Sequence, residues 1–566
     1  MAFRALPIGV DDFEKLITND YYYVDKTLLI KELLDKKGEV NLFTRPRRFG
    51  KTLNISMLKC FFEAAEVSKE PLFAGLEIMR EGPRYLEHMG AYPVITLSLK
   101  STKQDDFETA YTKIVEAISE EFRRHKYLLG SEKIDAIQKE RYLKIMDGAA
   151  KISEYTGSLK FLSGVLKEHY DKKTIILIDE YDVPLEHAYF TGYYDRMSSF
   201  IRSLFEEALK SNPSLEFAVI TGCLRITKES IFTGLNNLKI NTILSANYDE
   251  YFGFLQTEVD QMIEFYGIGE KRELIREWYD GYQFGTKEVY NPWSVINYVD
   301  SAYADGEHAW PSPYWANTSS NRIVRNLVEH ARLSTKEELE KLIGGESIEK
   351  PVHEDITYGD IEKSEDNLWN FLFFTGYLKM CSRRLIGESV YMTMMIPNAE
   401  VRYIYKNKIM EWSGEQMREK DLGSFYSSVV SADAEGLQKE LNRLLRESIS
   451  FYDNKEAFYH GFLLGLLERI GEYAVTSNQE SGDGRYDIML KSPDVEKAVV
   501  IFELKISDTY HGMETAAQTA IKQIKGRHYG DELARDGYSS IICYGIAFYK
   551  KNCWVIEDGK KESKGR

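Results

Sequence analysis

No run of this sequence approaches the roughly 20 apolar residues that a membrane span requires. The opening MAFRALPIGVDDFEKL lacks the apolar core of a secretory signal. The expectation is a cytoplasmic protein with no membrane partner. Cysteine is scarce as well: Cys60, Cys223, Cys381, Cys543 and Cys553 form no CxxC pair and are too scattered for a disulfide framework or a zinc site. Reduced, structural thiols follow. Positive charge is also in short supply, and a net charge of −16 excludes a protein that coats nucleic acid through a generally basic surface. The deficit is uneven. Residues from 451 onward are close to charge balance, which leaves room for a local nucleic-acid groove near the C-terminus. Fixed-period repeats and low-complexity tracts are absent too.

What is present is an ordinary globular composition, 43% apolar and 29% charged, over 566 residues. That length exceeds one hydrophobic core and suggests about three domains. Up to about residue 254, apolar runs alternate with helical patterns: VNLFT, YPVITLSL, TIILID and EFAVIT read as buried strands. Such alternation predicts an α/β domain, a parallel sheet covered by helices. Residues 255–395 turn mostly helical and aromatic and predict a second, middle domain, while 396–450 are charged and helix-prone and read as a helical connector. A final α/β unit spans 451–566, with strands near RYDIML, KAVVIFELKI and SSIICYGIAFY between helices.

The stretch RPRRFGKT, residues 45–52, follows a strand and opens an amphipathic helix, where backbone N–H groups converge on phosphate oxygens. Gly50, Lys51 and Thr52 supply the second half of a phosphate-binding loop: the lysine reaches terminal phosphates and the hydroxyl holds magnesium. Arg45 stands where the first glycine belongs, and the following Pro46 has no N–H to donate. The competing reading is a solvated basic turn before a core helix. The strand TIILIDEYD strengthens the nucleotide site, because it ends in two acids. Asp179 is then the carboxylate that helps hold the magnesium through its bound water, and Glu180 the base that polarises an attacking water. Thr221, at the tip of EFAVIT, is a candidate sensor of the terminal phosphate. Arg225 is a candidate for stabilising transition-state charge, in its own subunit or across a homo-oligomer interface, with a surface salt bridge as the alternative.

Near the C-terminus, Asp487 in GRYDIML and Glu503 with Lys505 in VVIFELKIS can assemble a metal-dependent phosphodiesterase. Both acids are candidate magnesium ligands, and the lysine orients the nucleophile or steadies developing charge. Residues two apart on a strand face the same side, so Glu503 and Lys505 converge while Leu504 points into the core. A charged pair inside the most apolar strand of its domain needs a reason. The alternative is that the two merely neutralise one another.

Taken in order, YYYVDKT, RPRRFGKT, ILIDEYD, SIFTGLNNL, WYDGYQFG with VYNPWSV, YWANTSSN and the C-terminal carboxylates resemble the bacterial AAA-ATPase-like proteins fused to a PD-(D/E)XK nuclease domain. The resemblance covers nearly the whole chain. It implies an AAA-like P-loop domain, a helical, winged-helix-like middle domain and a restriction-endonuclease-like C-terminal domain, with ATP and Mg2+ as cofactors. It also implies that the Arg-Pro-Arg-Arg loop is normal. The loop candidates for nucleotide binding are therefore Arg45, Arg47, Arg48, Phe49, Gly50, Lys51 and Thr52, the arginines adding charge where the backbone cradle is shortened. In the nuclease domain Tyr486, not proline, precedes the aspartate. Gln523 resembles the family's helix glutamine, Glu480 is a further candidate carboxylate with a plain hairpin turn as its alternative, and Lys525 and Arg527 are candidate phosphate contacts with a solvated helix face as theirs. The expected activity is ATP-gated, Mg2+-dependent cleavage of nucleic acid, DNA before RNA. The alternatives are an ATP-dependent switch or scaffold whose nuclease fold only binds nucleic acid or a partner, and a chain that has lost nucleotide binding.

Overall fold

A computed structural model of the chain describes residues 3–225, 231–232, 234–315, 333–354, 364–407, 422–447, 456–468, 470–477, 480–481, 484–526, 533 and 536–560. The chain divides into two compact units, Met1–Asn321 with Ser347–Ile404, and Arg322–Glu346 with Tyr405–Arg566.

The first unit is built on a five-stranded sheet of β1 (Val40–Thr44), β2 (Val94–Ser98), β3 (Thr174–Asp179), β4 (Leu215–Gly222) and β5 (Leu238–Asn241), in the order β2-β3-β4-β1-β5. All pairings are parallel, as helical crossovers require. The four expected strands form. The fifth, LKIN, is short, carries Lys239 and sits half-buried at the sheet edge, which hides it from a search for apolar runs. Register brings the carboxyl ends together: Phe43 pairs with Thr221, Thr44 with Gly222 and Ser98 with Asp179. Ligands of open parallel sheets bind at this edge. Helix α1 (Lys51–Phe62) starts there, and Gly50 before it adopts φ 81°, a left-handed turn that side chains disfavour.

Two helices of the same unit, α2 (Gln256–Tyr266) and α3 (Pro292–Asp305), pack through Val259, Ile263, Val295 and Val299 onto a core that includes Leu6. Asn291 caps α3 by accepting from the N–H groups of Trp293 and Ser294, and Pro292 occupies the first turn, where its missing donor costs nothing. Lys26 ties the N-terminal segment to α2, with Nζ 2.6 Å from Glu258 Oε1 and 2.7 Å from the Glu250 carbonyl. The helical middle also contains a small antiparallel sheet of β6 (Ile348–Pro351), β7 (Lys379–Ile386) and β8 (Ser389–Met395), in the order β6-β8-β7.

In the second unit, α4 (Gly423–Val430), α5 (Ala434–Glu447) and α6 (Glu456–Leu467) precede a mixed sheet of β9 (Ala474–Ser477), β10 (Ile488–Lys491), β11 (Val499–Ile506), β12 (Ile541–Tyr549) and β13 (Asn552–Lys560) in sequential order. Only β11 and β12 run parallel. Alternation along β11 sorts the two faces. Val500, Phe502 and Leu504 join Leu441, Leu463 and Leu467 of the preceding helices, whereas Val499 and Ile501 pack on Ile521 and Ile524 of α7 (Met513–Gly526). Helix α7 lies close because Gly545 on β12 has no Cβ: one built there would stand 2.4 Å from the Ala517 carbonyl.

Candidate functional site

A cavity of about 500 Å³ opens at the carboxyl edge of the first sheet, within the size range of ligand pockets. Residues 47–52 and Glu180 line it, together with Tyr22, Phe254 and Trp293. Thr52 Oγ1 donates to Asp179 Oδ2 at 2.8 Å, and Thr221 Oγ1 donates to the other carboxylate oxygen. The structure thus brings together the first turn of α1 and the tips of β3 and β4. Asp179 and Thr221 are buried behind Thr52 and do not line the cavity themselves. Burial, and then the Glu180 charge, push the Asp179 pKa upward; the two hydroxyls and Lys51 oppose them.

Lys51 is 3% exposed, and its Nζ donates to the carbonyls of Arg45 and Pro46, both at 3.1 Å, and lies 3.6 Å from Glu180 Oε1 and 3.6 Å from Cys223 Sγ. Burial alone would lower its pKa, but Cys223, Glu180, Asp182 and Asp179 more than offset it, so the ammonium persists. Glu180 Oε2 is buried with no hydrogen bond among the described residues. Glu180 (φ 54°) and Arg48 (φ 70°) both hold left-handed backbone, the kind of strain that concentrates at ligand sites.

The three arginines of the loop take different places. Arg45 is fully buried: it donates to the carbonyls of Thr44 (2.9 Å), Asn241 (2.8 Å) and Tyr248 (3.3 Å), and it lies over the rings of Phe252 and Phe284. Burial pushes its pKa down to about 9, still charged at neutral pH. It points away from the cavity and fastens the loop to β5. Arg47 pairs with Glu186, and its carbonyl accepts from Trp315 Nε1 at 3.3 Å. Arg48 is exposed on the cavity wall, its guanidinium 4.2 Å from the Trp293 ring centre. Phe49 is buried between Tyr282 and Phe284. Arg225 does not line the cavity; it pairs with Glu354 at 3.7 Å.

Asp182 received no role from the sequence, although it is the third acid of IDEYD. Its Oδ2 accepts from the N–H groups of Cys223 (2.8 Å) and Leu224 (3.0 Å), which locks the end of β4 to the turn after β3. Burial, then Glu180, push its pKa up to about 7. Oxygen and sulfur atoms of Glu180, Asp182 and Cys223 lie within 4.8 Å of one another, a spacing that suits a metal. Lys51 already sits against two of the three, so the cluster balances an ammonium. Thr52 and Asp179 offer oxygen donors only, with no thiol among them, and they fit Mg2+ held partly by phosphate. Glu400 was also missed. It is fully buried, accepts from Ser294 Oγ (2.8 Å) and the Trp315 N–H (2.9 Å), and burial raises its pKa to about 7.

In the second unit, Ile488 on β10 pairs with Phe502 on β11. The ladder ends at that pair, and Asp487, the residue before Ile488, stands just beyond it. Asp487 Oδ2 accepts from the Leu504 N–H at 2.7 Å. Glu503 is 1% exposed, with Lys505 Nζ 3.4 Å from its Oε1, and the same oxygen accepts from Gln523 Nε2 on α7. Leu504 is fully buried on the opposite face, as strand alternation predicted. Carboxylate oxygens beside a lysine are donors that fit Mg2+. Glu480 lies in a two-residue strand paired with Arg485, and its side chain is outside the described residues, as is Arg527. Lys525 pairs with Asp558 at 2.7 Å. His460 on α6, whose only sequence signal was a lone imidazole in an apolar helix, places Nε2 2.9 Å from the Asp487 carbonyl.

Comparison with known proteins matches each unit separately. A family described as predicted AAA-ATPase, AAA-ATPase-like, matches residues 7–232, and the PD-(D/E)XK nuclease superfamily matches residues 454–558. A protein of Azotobacter chroococcum mcd 1, described as an uncharacterized protein in the vnfD 5' region, is 25% identical over 568 residues, covering 98% of each chain.

Proposed function

We propose that this chain, which joins an AAA-ATPase-like domain to a PD-(D/E)XK nuclease superfamily domain, is an ATP-gated, Mg2+-dependent nuclease acting on nucleic acid, DNA before RNA. The observation that carries the reading is the Asp487 carboxylate bound to the Leu504 N–H, between Glu503 and Lys505, whose side chains meet on one face of β11. Three charged groups in an apolar strand pair make sense around a metal and a phosphodiester. A magnesium ion bound there would activate water and neutralise charge on the scissile phosphate. Asp487 and Glu503 would hold it, Lys505 would orient the nucleophile, and Gln523 would fix the Glu503 carboxylate.

In the first unit, Lys51 would exchange its two loop carbonyls for the terminal phosphates of ATP, and the N–H groups opening α1 would bind the remaining phosphate oxygens. Thr52 and Asp179 would hold the nucleotide's magnesium, and Glu180 would take a proton from attacking water.

Purified full-length protein is incubated with plasmid, single-stranded DNA and RNA, with and without ATP and Mg2+, beside the Lys51→Ala and Asp487→Asn variants. Mg2+-dependent cleavage should vanish in Asp487→Asn and lose its ATP response in Lys51→Ala. Cleavage that survives Asp487→Asn sinks the nuclease assignment. ATP binding without cleavage of any substrate favours a switch whose nuclease fold only binds.

A further inference from the structure

The ladder between β10 and β11 runs from Leu490↔Val500 to Ile488↔Phe502 and stops there. Asp487 therefore stands one residue outside it, at the point where a strand end is free to turn. Among the described residues, two contacts hold it in place. Its carboxylate takes the Leu504 N–H at 2.7 Å, so the side chain continues the ladder that the backbone leaves. Its carbonyl accepts from His460 Nε2 at 2.9 Å. A carbonyl oxygen can only accept, so Nε2 carries the proton. On the same helix Leu463, Leu466 and Leu467 face the apolar core, and Tyr459 stacks on Phe548. Among the described side chains of α6, His460 is the one that turns a polar group to the strand end that bears the carboxylate.

We infer that His460 is a positioning residue: by fixing the Asp487 peptide it sets the direction in which the carboxylate faces Glu503 and Lys505. The inference rests on the reading of Asp487 as a metal ligand. Without the imidazole, the Leu504 N–H would be the remaining hydrogen-bond restraint on Asp487 among the described residues, and that contact alone permits rotation of the peptide behind the side chain. Groups that orient ligands in this way typically govern metal affinity by about 10- to 100-fold.

The test is Mn2+ binding to nucleotide-free, full-length protein, followed by the loss of the free-ion paramagnetic resonance signal. Wild type, His460→Ala, His460→Gln and Asp487→Asn are compared, with melting temperature recorded for each. Asp487→Asn defines binding elsewhere in the chain. His460→Ala should weaken the Asp487-dependent binding about tenfold or more. His460→Gln, whose amide N–H can reach the same carbonyl, should recover most of the loss, and the Mg2+ concentration needed for cleavage should follow the same order. Asp487-dependent binding unchanged in His460→Ala, or glutamine no better than alanine at equal melting temperature, overturns the positioning role alone. Wild type indistinguishable from Asp487→Asn overturns the metal-site reading and this inference with it.

Discussion

The hydroxyl of Thr52 donates to Asp179 Oδ2 across 2.8 Å, which joins the first turn of α1 to the carboxyl end of β3. Thr221 holds the other oxygen of the same carboxylate. The acid is thus aimed by two strands and a helix, and the cost of aiming it is borne by folding.

That cost gives the first prediction. Burial raises the Asp179 pKa above its ordinary 3.8. Below the unfolded value both states are protonated and nothing is lost. As pH climbs through the interval up to the raised folded value, the unfolded chain ionises first and stability falls. At pH 7 the nucleotide-free Asp179→Asn variant should therefore melt no lower than wild type, yet lose the rise in melting temperature that Mg2+ and ATP together induce. A variant whose melting point still climbs with both ligands would show that Asp179 is not part of the nucleotide site.

The loop arginines should separate cleanly. Arg45→Met takes the guanidinium away from the buried carbonyls of Thr44, Asn241 and Tyr248, an expected loss on the order of 3 kcal/mol or more in urea unfolding. Arg48→Gly removes a stacking contact with Trp293 worth about 1 kcal/mol and relieves a left-handed residue, so stability should change little while nucleotide affinity drops. Equal loss of stability in both variants would contradict this division.

The candidate residues of both sites were legible in the sequence, because Lys51 and Thr52 open a helix, Asp179 and Asp487 stand at ends of apolar strands, and Glu503 interrupts one. What it could not carry were directions set by tertiary contacts. Arg45 reads as loop charge, yet its guanidinium turns to β5, a strand too short and too polar at Lys239 to be seen. Asp182 and His460 act through backbone groups of Cys223, Leu224 and Asp487, and no residue pattern marks a backbone partner. Glu400 meets Ser294 only after α3 has docked.

Glu400 supplies a pH prediction. Burial raises its pKa from 4.5 to about 7. The unfolded chain therefore sheds this proton at lower pH than the folded one, and stability falls between about pH 4.5 and pH 7. Glu400→Gln should remove that slope. Relative to wild type, the variant should gain on the order of 3 kcal/mol between pH 4.5 and pH 8, read from denaturant midpoints of the first unit. Parallel curves for the two proteins across this range would mean that Glu400 is ionised in the fold.

The Glu503–Lys505 pair separates a metal site from an ordinary ion pair. Glu503 is almost fully buried, and its charge is met by Lys505 at 3.4 Å and by the Gln523 amide. If the two residues only neutralise one another, Lys505→Met strands a buried carboxylate and the loss is permanent. If the carboxylates of Asp487 and Glu503 are built to hold a divalent cation, Mg2+ supplies the missing charge. Lys505→Met should then melt well below wild type without metal, with an expected loss of about 1–3 kcal/mol after allowing for the partly exposed ammonium, and should recover much of it in Mg2+. Glu503→Gln, which has no charge to compensate, should be as stable as wild type or more so without metal and should not respond to Mg2+. Neither variant should cleave nucleic acid, since one lacks the cation that steadies the scissile phosphate and the other a metal ligand. A Lys505→Met protein whose melting temperature ignores Mg2+ would reduce the three residues to a neutralised strand face.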